Sequence, residues 1–245
     1  MRFLQFKNNI LSMLRRPFNK YYGGLTGYTS KYFFSRPERL TVINYLERDS
    51  NKKAAEFLKS IMPIPVIRNK RKMFDYVCSL LPEKSNFYEF GTWTGGSLRY
   101  FLKKRPDLNS YSFDTFEGLP FDWKGSSEVK GTFNLYGKAK HLPKSTTVVK
   151  GLFSETMPIF FGNHIIDKFV FIHIDCDIYE STTEIFALFP WNKINEAHIL
   201  FDEFHGYIGW EYGEKKAFDE WLSESNFKVE YLAFSDKQMY LRVYK

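Results

Sequence analysis

Hydrophobic and polar residues alternate along this chain with two periods, one typical of strands and one typical of helices. Short apolar runs predict strands at 86–90, 110–114, 146–149, 169–174, 198–201, 227–234 and 238–244. Helical spacing between them predicts helices at 70–81, 97–104, 153–160, 181–189 and 214–222. This alternation predicts an α/β fold with a doubly wound, mostly parallel sheet of seven strands. The last two strands are divided by a short turn and predict an antiparallel hairpin at one edge.

The first 70 residues follow a different pattern. Residues 1–70 read as helices joined by polar and glycine-rich turns, and Pro63 and Pro65 mark a boundary before a main domain at 71–245. Apolar residues at helical spacing near the start predict an amphipathic helix that is broken near Pro17. We expect this extension to serve as a lid, a dimer arm or a membrane-surface element. Homo-oligomerisation and peripheral membrane contact are expectations of the same kind.

Composition narrows the class of protein. A chain of 245 residues with 44% hydrophobic residues can bury a large core without disulfides or a structural metal. The net charge of +7 favours an anionic partner, either a phosphate-bearing substrate or an anionic membrane surface, and no nucleic-acid-binding signature accompanies it. Cys78 and Cys176 form no zinc or disulfide pattern. With no membrane-length apolar run and no convincing signal peptide, we expect a cytoplasmic protein.

A glycine-rich turn joins the first strand of the main domain to the helix that follows. Gly91 permits a tight turn, and Gly95 lets a ligand approach the backbone closely. The helix beginning near Ser97 presents free N–H groups that suit a carboxylate or a phosphate. The glycine spacing differs from the dinucleotide pattern GxGxxG. Glu89 precedes the turn and can accept hydrogen bonds from an ammonium group, which favours a cofactor that carries an amino acid.

An acid at the end of the second strand adds to this half of the site. Asp114 lies where acids of open α/β sheets bind ribose hydroxyls, so the pattern predicts an adenosine-containing cofactor. The turn and this acid alone fit NAD as well as S-adenosylmethionine. The residues predicted to bind the cofactor are Glu89, Gly91, Thr92, Gly95, Ser97, Asp114 and Asp175.

Four carboxylates follow two further strands. Asp175 and Asp177 come at the end of one buried strand, and Asp202 and Glu203 end the next. Four close anions repel one another, and a hard divalent cation relieves the repulsion. Oxygen ligands favour magnesium, manganese or calcium over zinc. Such a cation could hold adjacent substrate oxygens and lower the pKa of a hydroxyl, and a remaining carboxylate could take the proton.

His205 is a further candidate at this edge of the sheet. It follows Glu203 by two residues and could assist as a base or a substrate contact. The other histidines give no catalytic pattern. Cys176 is expected to be a small buried residue rather than a nucleophile, because no base or oxyanion motif accompanies it.

Five segments of the chain resemble the macrocin O-methyltransferase family. They are YEFGTWTGGS (88–97), SFDTFEGLP (112–120), KGLFSETMP (150–158), HIDCDIYEST (173–182) and DEFHGYIGWEYGEKKAFDEWL (202–222). They occur in the family's order and cover most of 86–222. FDTFEGLP and IDCDIYEST are specific, whereas the glycine motif alone is not. The first 70 residues share little with the family.

The resemblance implies a class I methyltransferase that uses S-adenosylmethionine and a cation, with Mg²⁺ expected, to methylate a hydroxyl of a sugar or glycosylated small molecule. Glu89, Gly91, Gly95 and Asp114 match its cofactor positions. Asp175, Asp202 and Glu203 match its metal ligands, and Asp177 matches its general base. The family usually has Asp-Asp-Tyr where this chain has Asp202-Glu203-Phe204. Glutamate keeps an oxygen donor, while the tyrosine hydroxyl is lost.

Three other functions fit parts of the pattern. An NAD-dependent oxidoreductase would use the same ribose-binding acid. A metal-dependent phosphoester hydrolase could use the acidic residues but would not need the glycine turn. A non-catalytic adapter of the same fold would bind cofactor weakly or not at all. Binding of S-adenosylhomocysteine without binding of NAD separates the methyltransferase from these alternatives.

Overall fold

The computed structural model describes residues 41–139 and 141–245. The predicted N-terminal amphipathic helix lies outside them. By its contacts the chain divides into two units, 1–45 and 46–245, and the second contains the whole sheet. The helices are α1 (Val42–Ser60), α2 (Lys70–Leu80), α3 (Gly96–Lys104), α4 (Phe153–Asn163), α5 (Tyr179–Leu188) and α6 (Glu214–Glu224). The strands are β1 (Asn86–Phe90), β2 (Asn109–Asp114), β3 (Thr147–Lys150), β4 (Phe169–Ile174), β5 (Glu196–Phe201), β6 (Lys228–Phe234) and β7 (Met239–Tyr244).

The seven strands form one mixed sheet in the order β3-β2-β1-β4-β5-β7-β6. The first five are parallel, and β7 runs antiparallel to both β5 and β6. The predicted doubly wound sheet with an antiparallel C-terminal edge is therefore confirmed. From β1 the chain winds outward through β2 and β3 and then returns to place β4 on the other side of β1. The strand order reverses there, and the crevice at the carboxyl ends of β1 and β4 is where ligands bind in such sheets.

Both faces of the sheet are buried, which explains why its central strands read as continuous apolar runs. One face packs against α4, α5 and α6 through side chains such as Tyr88 and Phe90 of β1. The other face packs against α2 and α3 through side chains such as Phe87 of β1 and Phe171 of β4. Phe87 and Phe171 stack with their ring centroids 4.8 Å apart. Packing on both faces holds the strand ends at the carboxyl edge of the sheet in position.

The observed helices differ from the predicted ones mainly at their ends. Helix α4 continues to Asn163, past the predicted end at 160, although it contains Pro158. The proline removes only one helical hydrogen bond, and the longer helix buries Phe161 in the core. Helix α5 starts two residues earlier than predicted, at Tyr179. No helix in the described ranges is long and apolar enough to span a bilayer. The proposed division at residue 70 stays a prediction.

Candidate functional site

The turn after β1 brings the ends of β1 and β4 into direct contact. Gly91 has φ +84°, and a Cβ atom at this position would lie 2.0 Å from the backbone oxygen of Asp175. The Asp175 N–H donates to the Phe90 carbonyl at 2.9 Å. Only glycine combines this positive φ with so close an approach. The glycine predicted from sequence is thus required by the geometry of the crevice itself.

Asp114 holds the loop that follows Gly91. Its Oδ2 accepts hydrogen bonds from the N–H groups of Thr92 (2.8 Å) and Trp93 (2.6 Å), and its Oδ1 accepts from the N–H of Phe116 (2.6 Å). A carboxylate can accept about four hydrogen bonds, so acceptor capacity remains. Asp114 also lines the main cavity together with Gly91. Its carboxylate therefore shapes the loop and stays available to a ligand.

Four of the predicted cofactor residues lie behind the cavity wall rather than on it. Glu89 is fully buried within β1, and its Oε1 accepts a hydrogen bond from the Ser97 hydroxyl at 2.6 Å. The Thr92 hydroxyl bonds to the buried Ser112 hydroxyl at 2.7 Å. Gly95 has φ +71° at the start of α3. These residues brace the loop, whereas Gly91, Asp114 and Asp175 reach the cavity.

His173 is a buried residue of the site that the sequence analysis missed. It is the register partner of Glu89 across β1 and β4, and its Nδ1 lies 3.1 Å from Glu89 Oε1. Its Nε2 lies 4.0 Å from Asp202 Oδ1 and has no hydrogen-bond partner among the described residues. The alternation His173-x-Asp175 was the available signal, because residues two apart on a strand share a face.

The main cavity has a volume of about 530 Å³, within the usual range for ligand sites. Its acidic floor consists of Asp175, Asp177, Asp202 and Glu203. The loop between β2 and β3 covers it, and we call residues 115–139 the cover loop. Apolar side chains of the cover loop line the cavity: Leu119, Pro120, Phe121, Trp123 and Phe133. Another part of the wall comes from Leu152, Phe153 and Ser154. The cavity therefore joins an aromatic cover to a negatively charged floor.

Crowding of carboxylates changes the protonation of the floor. Burial and the neighbouring Asp202 raise the pKa of Asp175 well above its usual value. Burial, with Glu203 and Asp202, raises the pKa of Asp177 to about 8. Burial also raises the pKa of Glu203. Glu214 lies behind the floor, fully buried, with one carboxylate oxygen unpartnered within the described part of the chain. The acidic floor therefore contains more carboxyl groups than the positive groups around it can neutralise.

Asp202 is the exception among these acids, because its neighbours lower its pKa. Burial alone would raise its pKa, but His173 and Lys70 hold the pKa of Asp202 well below its usual range. The Lys70 ammonium donates to Oδ2 at 2.6 Å, and the Gln238 amide donates to Oδ1 at 2.7 Å. Burial would lower the pKa of His173, but Asp202 and Glu89 raise it to about 9. Asp202 is therefore the acid of the floor that its neighbours stabilise most directly in the ionised form.

The chemistry of the floor fits a hard divalent cation. Asp175, Asp202 and His173 each offer a ligand atom, and these atoms lie within 4.8 Å of one another. Glu203, the third predicted ligand, lines the same cavity and pairs with Lys237 at 3.1 Å. Oxygen donors dominate, and the raised pKa values mark unneutralised negative charge. Asp175 and Asp202 would hold the ion, with Glu203, or His173 after loss of its proton, completing the protein ligands.

The structure does not bring His205 to the acidic floor. The N–H groups of Phe204 and His205 both bond to the Lys237 carbonyl, which turns the chain away from the cavity. The His205 side chain is 1% exposed, and it lines a separate cavity of about 170 Å³ beside α1. Burial lowers its pKa to about 4. The two-residue spacing from Glu203 did not predict where the His205 side chain lies, because β5 ends at Phe201 and the chain turns after it.

Comparison with known proteins supports the fold. No family model matches the sequence, and no curated protein matches it. Among solved structures, the chain is similar to CalS11, a calicheamicin methyltransferase, with TM-score 0.52 and 20% identity over 89% of this chain and 90% of that one. The O-methyltransferase NovP gives TM-score 0.47 and 19% identity over 69% and 76% of the two chains. An O-methyltransferase from Bacillus cereus gives TM-score 0.47 and 13% identity over 89% of this chain and 96% of that one. The sheet and its helices define the class I methyltransferase fold.

Proposed function

We propose that the protein is an S-adenosylmethionine-dependent O-methyltransferase that requires a divalent cation and acts on a hydroxyl of a sugar or glycosylated small molecule. One observation carries the proposal: the Gly91 crevice and the acidic floor open into a single cavity. A methyl donor and a hydroxyl acceptor must meet in one space for the methyl group to pass between them. The similarity to a calicheamicin methyltransferase supports methyl transfer.

On the donor side, this chain supplies a crevice and an acceptor for hydroxyl groups. Gly91 keeps the wall open where a side chain would block it, and Asp114 can accept hydrogen bonds from ribose hydroxyls. S-adenosylmethionine supplies a methyl group already activated on a positively charged sulfur. The acidic floor favours that charge electrostatically. NAD carries a doubly negative pyrophosphate that S-adenosylmethionine lacks, so an acidic floor favours the methyl donor over the nicotinamide cofactor.

On the acceptor side, Asp177 is the residue we assign as general base. It lines the cavity, has φ +67°, and follows Asp175 by two residues. Its carboxylate lies in the same acidic floor as the proposed cation ligands, where it can take the proton of an acceptor hydroxyl. A bound cation would hold acceptor oxygens and lower the pKa of the reacting hydroxyl. The apolar side chains that the cover loop contributes to the cavity would limit access of water to the reacting atoms.

Calorimetric titration with S-adenosylhomocysteine, repeated with NAD and with and without Mg²⁺, tests the donor assignment. We expect binding of S-adenosylhomocysteine and no binding of NAD. Binding of NAD alone would favour the oxidoreductase, and binding of neither would favour an adapter.

Asp177→Asn tests the base. We expect the variant to fold and bind S-adenosylhomocysteine as the wild type does, while methyl transfer to a panel of glycosylated acceptors falls at least about 100-fold. Asp167→Asn, on an exposed loop, is the matched control and should keep its activity. Full turnover by Asp177→Asn would refute the assignment.

A further inference from the structure

We propose that the Lys70 ammonium is a built-in counter-ion of Asp202, and that a divalent cation entering the acidic floor displaces it. This inference rests on the cation requirement of the proposed function. Lys70 is the first residue of α2, outside the segments that end at the carboxyl edge of the sheet. No sequence motif pointed to it. Its role follows from where the helix places its side chain.

The position of Lys70 is fixed by the start of α2. The Asn69 side chain accepts hydrogen bonds from the N–H groups of Arg71 and Lys72, which caps the helix and sets its first residue at the mouth of the cavity. From there the Lys70 ammonium reaches Asp202 Oδ2 at 2.6 Å. That oxygen belongs to one of the two carboxylates best placed to hold a cation. The ammonium and an ion bound to the same carboxylate would repel each other strongly.

Lys70 also differs from the imidazole of His173, which lies on the other side of Asp202. His173 is fully buried between Glu89 and Asp202, so it cannot move into water. The Lys70 side chain is 52% exposed, while that of Asp202 is 9% exposed. A lysine with a flexible stem can turn its ammonium into solvent and regain hydration at low cost. Lys70 is therefore the partner that can leave when a stronger cation arrives.

Without a cation, the Lys70 ammonium compensates part of the negative charge of the acidic floor. Asp202 is almost buried and its carboxylate pairs with the Lys70 ammonium at 2.6 Å, and a buried carboxylate that loses its partner is strongly destabilising. Lys70 supplies one positive charge, and a dication supplies two. Exchange of the lysine for the dication keeps Asp202 compensated and also relieves Asp175, which lies in the same group of ligand atoms. A cation must therefore bind to Asp202 more strongly than the Lys70 ammonium does.

The test measures binding of Mn²⁺ to the full-length protein by electron paramagnetic resonance after treatment with a chelator. The variants are Lys70→Met and, as a matched control, Lys72→Met on an exposed position of the same helix. We expect Lys70→Met to bind Mn²⁺ at least tenfold more tightly than wild type, and Lys72→Met to bind as wild type does. Without Mn²⁺, Lys70→Met should melt at a lower temperature, and added Mn²⁺ should restore it. Lys70→Gln gives the same comparison if Lys70→Met does not fold.

Three other outcomes overturn the proposal in different ways. Equal Mn²⁺ affinity in wild type, Lys70→Met and Lys72→Met would show that Lys70 does not compete with the cation for Asp202. The cation requirement would then stand. Weaker binding by Lys70→Met would show that Lys70 supports the cation rather than opposing it. Absence of Mn²⁺ binding in every protein would remove the cation requirement as well. Titration of the same samples with S-adenosylhomocysteine reports separately on the donor site.

Discussion

Replacing Gly91 by alanine tests whether close approach of β1 and β4 shapes the crevice. The structure offers a matched control in Gly131, which lies in the cover loop. Both glycines have nearly the same positive φ, +84° and +85°. A Cβ atom on Gly131 would meet nothing within 4 Å, whereas a Cβ atom on Gly91 would lie 2.0 Å from the Asp175 oxygen. The pair separates backbone strain from steric overlap.

The expected losses of stability follow from the backbone strain and the steric overlap. Alanine at a left-handed φ costs about 1–3 kcal/mol, and both variants incur this cost. In Gly91→Ala the two strand ends must also part by more than an ångström, which costs about 1–3 kcal/mol as overpacking. The bond from the Asp175 N–H to the Phe90 carbonyl is weakened as well, at about 1 kcal/mol. Gly91→Ala should therefore be at least about 2 kcal/mol less stable than Gly131→Ala.

Urea unfolding followed by circular dichroism measures this difference. With a slope of about 3 kcal/mol/M, 2 kcal/mol corresponds to a shift of about 0.7 M in the midpoint. Calorimetry with S-adenosylhomocysteine measures the functional consequence, and we expect Gly91→Ala to lose binding while Gly131→Ala keeps it. If Gly91→Ala is as stable as Gly131→Ala and binds equally well, the crevice does not depend on this contact.

Three further predictions concern the core, the response to acid and the loop. Phe87→Ala should cost about 3–5 kcal/mol in urea unfolding, because the side chain is fully buried and stacked; a cost under 1 kcal/mol would contradict its place in the core. The Arg105 guanidinium holds the pKa of Asp107 well below its usual range. The stability contributed by Asp107 is therefore complete above its unfolded pKa, near 4, and is lost as pH falls toward the folded pKa. Unfolding between pH 6 and pH 2.5 should show a smaller loss in Asp107→Asn than in wild type, and parallel curves would refute the pairing. Asp114→Ala should free three loop N–H groups and weaken binding of S-adenosylhomocysteine at least about tenfold by calorimetry; unchanged affinity would contradict its role.

Most of the fold could be predicted because its signals are local. Apolar runs such as Phe169–Ile174 mark strands that are buried on both faces, and the alternation with helices predicts a parallel sheet. The acids at the ends of β4 and β5 could be grouped because parallel strands bring their carboxyl ends to one edge. Asp175 and Asp202 do meet there, as the shared group of ligand atoms shows.

The rest of the site depends on where side chains point, which spacing does not reveal. Glu89 was predicted beside the cofactor, and its side chain is fully buried at β1, with Oε1 bonded to Ser97 and Oε2 without a partner among the described residues, so its contact with a cofactor stays a prediction. His205 is close to Glu203 in sequence, but a turn carries it into another cavity. Lys70 lies 132 residues from Asp202, and only the packing of α2 on the sheet brings them together.

The order in which the chain is synthesised has a consequence for this pocket. Gln238 and Lys237 belong to the turn before β7, yet they contact Asp202 and Glu203. β7 also inserts between β5 and β6, so β5 has no neighbour on that side until β7 is made. Residues 237–244 must therefore leave the ribosome before the pocket can close. Without residues 237–244 the pocket would therefore lack two contacts to its acidic floor and β5 would lack its partner β7.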